Sequence, residues 1–563
     1  MAIRSLLQFL LDTDLTRLRA IAGFWGVEDS SSRHRDLAAL LSRRMAEPAG
    51  IARAWHQLAD QERAALRGLL STGGRAPARV VARRWGAIRA MGPGRMEREQ
   101  PWRDPSSPME GLYYSGFVFG SFADHGEGGY EELMVPAELM RHLPTEPAPP
   151  PQLELQAVAE PPLIVPANDW FLDDACTLLS YVQNHRPSWS PDGSWPENHQ
   201  RLLEQMLRAT DSDRLDLLRH VISALGWIQQ AESGRLRLEP EPVLSWLEEP
   251  AGRQRAALAT AWAADPEWND LRHVPALSFD DTGSWHNDPL RTRRAILSHL
   301  SACKPESWYA IADAVAAVKQ ADPDFQRPDG DYSSWYIRDA YSGQYLSGFE
   351  CWDRVEGALL RFLIVGPLTW LGLVDLGVGA PGGMMTWFRL STAGTAFLQG
   401  TDPPPDPPPG STKVRTDLTI DLPADARYQR FQLGRVADLV APGERYTYRL
   451  SGESLRRGQR QGISVQRVLD FLADAAGRPL PHSLQSAITA WAERGFQASV
   501  EQVVVLRLAD KALMDRVTSA PSTRDLISER IGPTAALVRK RDSSKLVAAL
   551  AGMGILPDVI GID

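Results

Sequence analysis

Apolar residues along this chain recur mainly at intervals of three and four, the spacing that puts them on one face of a helix. Leu15, Leu18, Ile21 and Ala22 predict a helix over residues 15–25, and Gly26 supplies a left-handed stop. A short extended piece, 27–31, leads to Ser32, an N-cap for a helix over 33–45 whose apolar face carries Leu37, Leu40 and Leu41. A long helix over 51–70 ends at Gly73-Gly74, and a second covers 77–85. Two runs of strand character, 116–119 and 132–135, then flank the glycine-rich segment 124–129, which predicts a β-hairpin. Related endings follow at 225–238 and 371–390. In each, Leu-Gly leads into a strand, glycine marks a turn, a second strand follows, and a short helix closes at 243–247 or 393–398. Beyond residue 412 the pattern predicts strands at 416–423 and 446–450 and a helix near 454–458. A helix capped by Ser464 follows, and another opens at Leu480-Pro481. The runs 503–508 and 532–556 predict a closing strand and two further helices.

Two proline-rich stretches, 144–166 and 401–412, interrupt this periodicity. Consecutive prolines fix φ and donate no backbone hydrogen bond, so neither a helix nor a central strand continues through them. They divide the chain into a helical module at 1–48, a hairpin-containing domain at 49–143, a linker at 144–166, a helical region at 167–400 with two hairpin endings, a linker at 401–412, and a C-terminal domain at 413–563. The expected fold class is mostly α with small β-hairpins, α+β overall. The helix–extended–helix pattern of 1–48 resembles SAP-like and Rho-N-terminal-like nucleic-acid-binding modules. The helix-and-hairpin segments at 49–143 and within 167–400 resemble winged-helix units.

Charge sharpens this picture. The formal net charge is −9, yet residues 1–103 hold eighteen arginines, no lysine and ten acidic residues, a net +8 that leaves −17 elsewhere. Such asymmetry marks an anion-binding end on an acidic body. Lysine is scarce throughout, so part of the arginine preference reflects codon usage. The candidates for phosphate contact are Arg33, Arg35, Arg75, Arg79, Arg83, Arg84 and Arg89. Arg79 and Arg83, four apart, share a helix face.

Several function classes are excluded or left without support. With 43% hydrophobic and 23% charged residues, the chain has a globular composition. No apolar run reaches the ~18–20 residues of a membrane span. The apolar start at 6–11 is interrupted by Gln8 and closed by Asp12 and Asp14, so it reads as an ordinary helix and not a secretory signal. Cys176, Cys303 and Cys351 are widely spaced, which fits small buried side chains in a reducing cytoplasm. The chain contains no Gly-Lys dipeptide and therefore no phosphate loop of the GxxxxGK[ST] type. One GxGxxG, at Gly377, Gly379 and Gly382, precedes a strand-like run and reads as a hairpin turn. Asp322, Asp324, Asp329 and Asp331 lack calcium-loop spacing and read as a surface loop of Asx turns. No catalytic residue, metal or cofactor is expected. The eighteen tryptophans, five of them at 308, 335, 352, 370 and 387, predict a large aromatic core.

The C-terminal region is the most specific. The strand ending Tyr448-Arg449-Leu450, the helix at Ser454-Leu455, Gly462, the helix through Leu472 and the Leu480-Pro481 opening succeed one another in a fixed order. This order resembles the helicase-associated domain at the N-terminus of XPB-type DNA helicases, a domain that also occurs in bacterial proteins without the motor. The resemblance covers about a quarter of the chain. It implies a non-catalytic segment that contacts DNA and neighbouring subunits beside a motor. Arg456 and Arg457 on its basic turn join the nucleic-acid-binding candidates. The expected role is a sequence-tolerant, DNA-binding accessory protein of transcription, repair or defence. The alternative is a protein-interaction scaffold, including one for a helicase supplied in trans.

Overall fold

The periodic apolar stretches become helices throughout the computed structural model, with small antiparallel sheets between them. Residues 4–28, 33–124, 129–144, 153–188, 195–280, 285–403, 405, 410–494 and 503–559 are described. Ser32, residues 125–128 of the glycine-rich segment, the prolines at 149–151, and Pro404 with 406–409 lie outside them. The chain divides into two compact units, residues 1–463 with 470–479, and residues 464–469 with 480–563.

At the start of the first unit, helices Leu15–Phe24 and His34–Met45 bury the faces read from their spacing, including Leu18, Ile21, Leu37 and Leu41. Leu40 stays exposed. The helix expected over 51–70 is broken in two, Pro48–Gln57 and Asp60–Ser71. Leu58 turns extended, and Glu62 Oε2 accepts the Ala59 N–H at 2.8 Å, so the acidic turn Asp60–Glu62 starts a new helix. Strand Arg75–Pro77 follows, then helix Ala78–Trp85, the insert helix Pro93–Glu99, helix Pro108–Tyr114, and strands Phe119–Asp124 and Gly129–Met134. The last strand lies between the other two in an antiparallel sheet, with Ala76 opposite Leu133 and Phe119 opposite Met134. Helix Pro108–Tyr114 is capped by Ser107, which accepts the Glu110 N–H. Its seven residues are too few to show a helical repeat in the sequence. One cation is buried in this core: Arg17 Nη2 donates to the carbonyls of Tyr113 and Val118, both at 2.9 Å, with its guanidinium 3.3 Å from the Tyr113 ring centroid. Burial pulls its pKa down to about 10, so it stays charged at neutral pH.

A similar order recurs later in the unit. Helix Pro289–Leu300, strand Tyr309–Ala310, helices Ile311–Ala321 and Trp352–Val365, and strands Val374–Val378 and Met385–Leu390 build a four-stranded antiparallel sheet completed by Leu163–Val165. The GxGxxG glycines belong to the hairpin that pairs Val374 with Leu390. Trp308 and Trp352 are core residues, and Trp335 and Trp370 pack partly buried against that core. A smaller hairpin pairs Ile228 with Leu238. The acidic loop at 322–332 has the expected Asx turns, with Asp329 accepting the Asp331 N–H and Asp331 accepting the Ser333 N–H. It is not a surface loop, however. Phe325, Gln326 and Arg327 are buried, and Arg327 Nε donates to the buried Glu356 at 2.6 Å.

The segment that begins the C-terminal region joins this body. Helix Arg427–Gly434 packs on helix Trp170–His185. The interface carries charge: Asp173 accepts from Arg427 Nε at 2.9 Å and from Arg430 Nη1 at 3.1 Å, with all three side chains at most 3% exposed. Arg427 Nη2 also reaches Asp169 at 2.9 Å. The associated sheet runs in the order Lys413–Val414, Thr419–Pro423, Arg445–Arg449, Asp438–Ala441. Ser451 then caps helix Gly452–Arg460 by accepting the Ser454 N–H at 3.0 Å, while Ser454 Oγ accepts the Ser451 N–H at 2.9 Å. Ser451→Ala should cost about 1 kcal/mol, read as a lowered midpoint of unfolding with unchanged helical content at low temperature.

The second unit has its own small core of Leu506, Val517, Val538, Leu546 and Leu550. Strand Ala535–Arg539 lies between Val503–Arg507 and Ile527–Arg530, and helices Lys511–Ser519 and Ser543–Gly552 accompany them. The 532–556 run therefore holds a strand and one helix, not two helices. Residues 535–538 alternate between partly buried and buried and Arg539 is exposed, which fits the Val505–Leu537 pairing. No helix among the described residues is long and apolar enough to cross a membrane.

Candidate nucleic-acid interface

Helix Ala78–Trp85 is sharply two-sided. Val81 is fully buried, while Arg79, Arg83 and Arg84 project from the rest of the turn. The face shared by Arg79 and Arg83 meets the acidic loop at 322–332. Arg79 Nη1 lies 2.8 Å from Asp331 Oδ2, and Arg83 Nη2 pairs with Asp324 Oδ1. Arg83 Nη1 also donates to the Gly330 carbonyl at 2.9 Å, with its guanidinium 5.0 Å from the Tyr332 ring centroid. Gly330 has φ +66°, and a Cβ there would meet Arg83 Nη2 at 2.2 Å. Tyr332 donates its hydroxyl to Asp324 at 2.9 Å, closing the cluster. Burial pushes the Asp324 carboxyl above its ordinary value despite Arg83. Asp331, where the Ser333 N–H and Arg79 outweigh desolvation, sits below it. The two pairs differ in weight. Arg79 is 61% exposed, so its pair contributes little, whereas Arg83 and Asp324 are 22% and 12% exposed.

Arg89 serves the local fold. Its Nε and Nη2 donate to Glu110 Oε1 and Oε2 at 2.8 and 2.7 Å, and Glu110 is fully buried. Ser106 donates to the same carboxylate through both N–H and Oγ. Together these bonds tie the insert to helix Pro108–Tyr114. Arg457 is similarly engaged, by Asp438 at 2.7 Å and the Ala437 carbonyl at 3.0 Å. Arg84 is exposed and lies over the Trp85 ring at 4.8 Å. Arg33 and Arg35 stand exposed at the start of helix His34–Met45, Arg75 is exposed on its strand, and Arg456 is exposed on helix Gly452–Arg460. The nine arginines are thus scattered over several separate elements. Arg79 and Arg83 are held together by carboxylates of the same chain, and Arg89 and Arg457 are locked locally.

Two carboxylate sets lie beyond the reach of sequence spacing. Asp324 and Asp331 meet arginines more than two hundred residues away, and Asp173 gathers Arg427 and Arg430. Both acid sets are visible along the chain, as the cluster Asp322, Asp324, Asp329 and Asp331 and as the adjacent pair Asp173 and Asp174 within a helix, but their arginine partners are not. Among the described residues, no three His, Cys, Asp or Glu side chains gather as a metal site.

Comparison with known proteins bears on the C-terminal part of this arrangement. Residues 413–532 match the family described as helicase conserved C-terminal domain. A 153-residue segment is 28% identical to the DNA 3'-5' helicase XPB of Kineococcus radiotolerans, covering 26% of this chain and 28% of that protein. The chain therefore spans less than a third of that relative's length. A helicase-related domain stands where the order of elements after residue 412 located it.

Proposed function

We propose that this chain is a non-catalytic, DNA-binding accessory protein that works beside a helicase motor supplied in trans. The observation that carries the reading is the helicase-related segment at 413–532, joined in one chain to two units that share the order helix, strand, helix, helix, strand, strand around insertions. The insertions are helix Pro93–Glu99 in the first and strand Ile337–Asp339, the short turn Phe349–Cys351 and helix Pro367–Trp370 in the second. We read those units, at 60–134 and 289–390, as winged helices, scaffolds that set a protein's orientation on a duplex. The absence of any Gly-Lys dipeptide leaves no phosphate loop of its own. The arginines available for phosphates are the exposed ones, Arg35, Arg75 and Arg84, with Arg456 on the helicase-related segment.

The test is duplex binding by fluorescence anisotropy across a salt series. Binding should weaken steeply with salt and vary little with sequence. Changing Arg35, Arg75 and Arg84 to alanine should weaken all duplexes alike and lower the salt slope by about 0.9 for each phosphate no longer neutralised. The pure protein should hydrolyse no ATP, with or without DNA. Absent or salt-insensitive binding would sink the reading. It would favour a protein-interaction scaffold, for which one observation already speaks: the basic helix Ala78–Trp85 is engaged by the chain's own acidic loop.

A further inference from the structure

A cavity of about 410 Å³ opens in the N-terminal region, between helix Leu15–Phe24, helix Asp60–Ser71 and the insert around residues 97–105. Its volume is in the range of small-molecule sites. Phe24 and Trp102 line it partly exposed, over a floor that includes the buried Tyr114. Trp102 and Tyr114 meet edge to face, centroids 6.1 Å apart and planes at 61°, and so form a corner of two aromatic walls. Two carboxylates, Glu62 and Glu97, and one rim cation, Arg19, complete the chemistry.

Glu62 is held in place. Its Oε2 accepts the Ala59 N–H, and its Oε1 lies directly over Gly111, where a Cβ would come within 1.8 Å. Gly111 sits in mid-helix with no turn to make, a position where alanine is favoured by about 1 kcal/mol. What the glycine provides is room for a carboxylate at the edge of an aromatic-lined cavity. Glu97 carries the second negative charge, with Oε1 accepting from Thr16 Oγ1 at 3.3 Å. Aromatic faces and carboxylates attract the same partner, a delocalised or alkylated cation, and repel phosphates. The same region already holds the guanidinium of Arg17 over Tyr113.

We propose that this cavity binds an organic cation, a guanidinium or alkylammonium group, in the corner formed by Trp102 and Tyr114, with Glu62 as its counter-charge. The site is independent of the duplex-binding reading, since the two carboxylates would oppose a phosphate backbone.

Isothermal titration of the full chain tests this with N-acetyl-arginine amide, tetramethylammonium and a Gly-Ser-Arg-Ser-Gly peptide. N-acetyl-citrulline amide serves as the neutral control. Cations should bind and citrulline should not. Glu62→Gln keeps the hydrogen bond to Ala59 that starts its helix, yet should weaken cation binding about tenfold. Trp102→Leu should weaken it about three- to tenfold. Gly111→Ala should displace the Glu62 carboxylate and weaken binding as much as Glu62→Gln, with the circular dichroism spectrum unchanged. If the peptide binds more than tenfold tighter than the capped amino acid, the cation comes from a polypeptide, and equal affinities identify a free small cation. Equal binding of citrulline and arginine, or parent-like affinity in Glu62→Gln, would each overturn the proposal.

Discussion

Asp173→Ala should destabilise the first unit by about 3–5 kcal/mol, the cost of leaving a buried charge without its counter-ion. The carboxylate is 3% exposed and is shared by Arg427 and Arg430, at 2% and 0%. Arg430 Nη2 adds bonds to the Asp173 carbonyl and Thr177 Oγ1, both at 3.1 Å, and its guanidinium lies 3.3 Å from the Tyr446 ring centroid. Removing the acid leaves two buried guanidiniums, of which Arg427 keeps one carboxylate, Asp169, 34% exposed, and the amide oxygen of Gln254. Denaturant unfolding followed by tryptophan fluorescence should show the destabilisation, and limited proteolysis should show cleavage around 400–412 that the parent resists. The combined variant Asp173→Leu, Arg427→Met and Arg430→Met should recover most of the stability, because it removes the charges together. A change below about 1 kcal/mol in Asp173→Ala would show that the cluster behaves as a solvated surface pair and not as a buried ionic interface.

Arg83→Ala should cost about 2–3 kcal/mol, because Asp324 would remain buried with Tyr332 as its main partner. The complementary change frees charge instead of removing it. Asp324→Asn with Asp331→Asn removes the charges that hold Arg83 and Arg79, and so returns two cations to the basic end of the chain. If that end binds duplex DNA, the double variant should bind about tenfold tighter at moderate salt, with a salt slope steeper by about 0.9 for each additional phosphate neutralised. Arg79→Ala alone should change stability by under about 1 kcal/mol, in keeping with its exposure. Unchanged DNA affinity in the double asparagine variant would show that the Arg79–Arg83 face has no part in binding, whatever the role of the rest of the domain.

These two charge clusters also show what a single sequence carries and what it withholds. Hairpins near 119–134, 228–238 and 374–390 were legible because strand character and glycine turns are local properties. So was the order of strand and helix from 445 to 460. The break at Leu58 was harder to see, since the apolar repeat passes through it and only the acidic turn Asp60–Glu62 betrays a restart. Arginine partners were not legible at all. Arg79, Arg83 and Arg89 look alike along the chain, yet one faces solvent with a weak pair, one is tied to Asp324 across 241 residues, and one holds Glu110 twenty-one residues on. Charge counting measures how many cations an end of the chain has, whereas phosphate binding depends on how many remain unengaged after folding.

The docking of helix Arg427–Gly434 has a further consequence, for how such a protein is inherited and cut. The stretch that matches a family begins at 413, but the compact unit to which its first fifty residues belong also contains helix Trp170–His185. A gene fragment that starts at 413 would export Arg427 and Arg430 without Asp173, and the truncated remainder would keep an acid with no base. Recombination at this boundary would leave buried charge unpaired in both products, at a cost of about 3–5 kcal/mol unless a new counter-charge replaces the lost one.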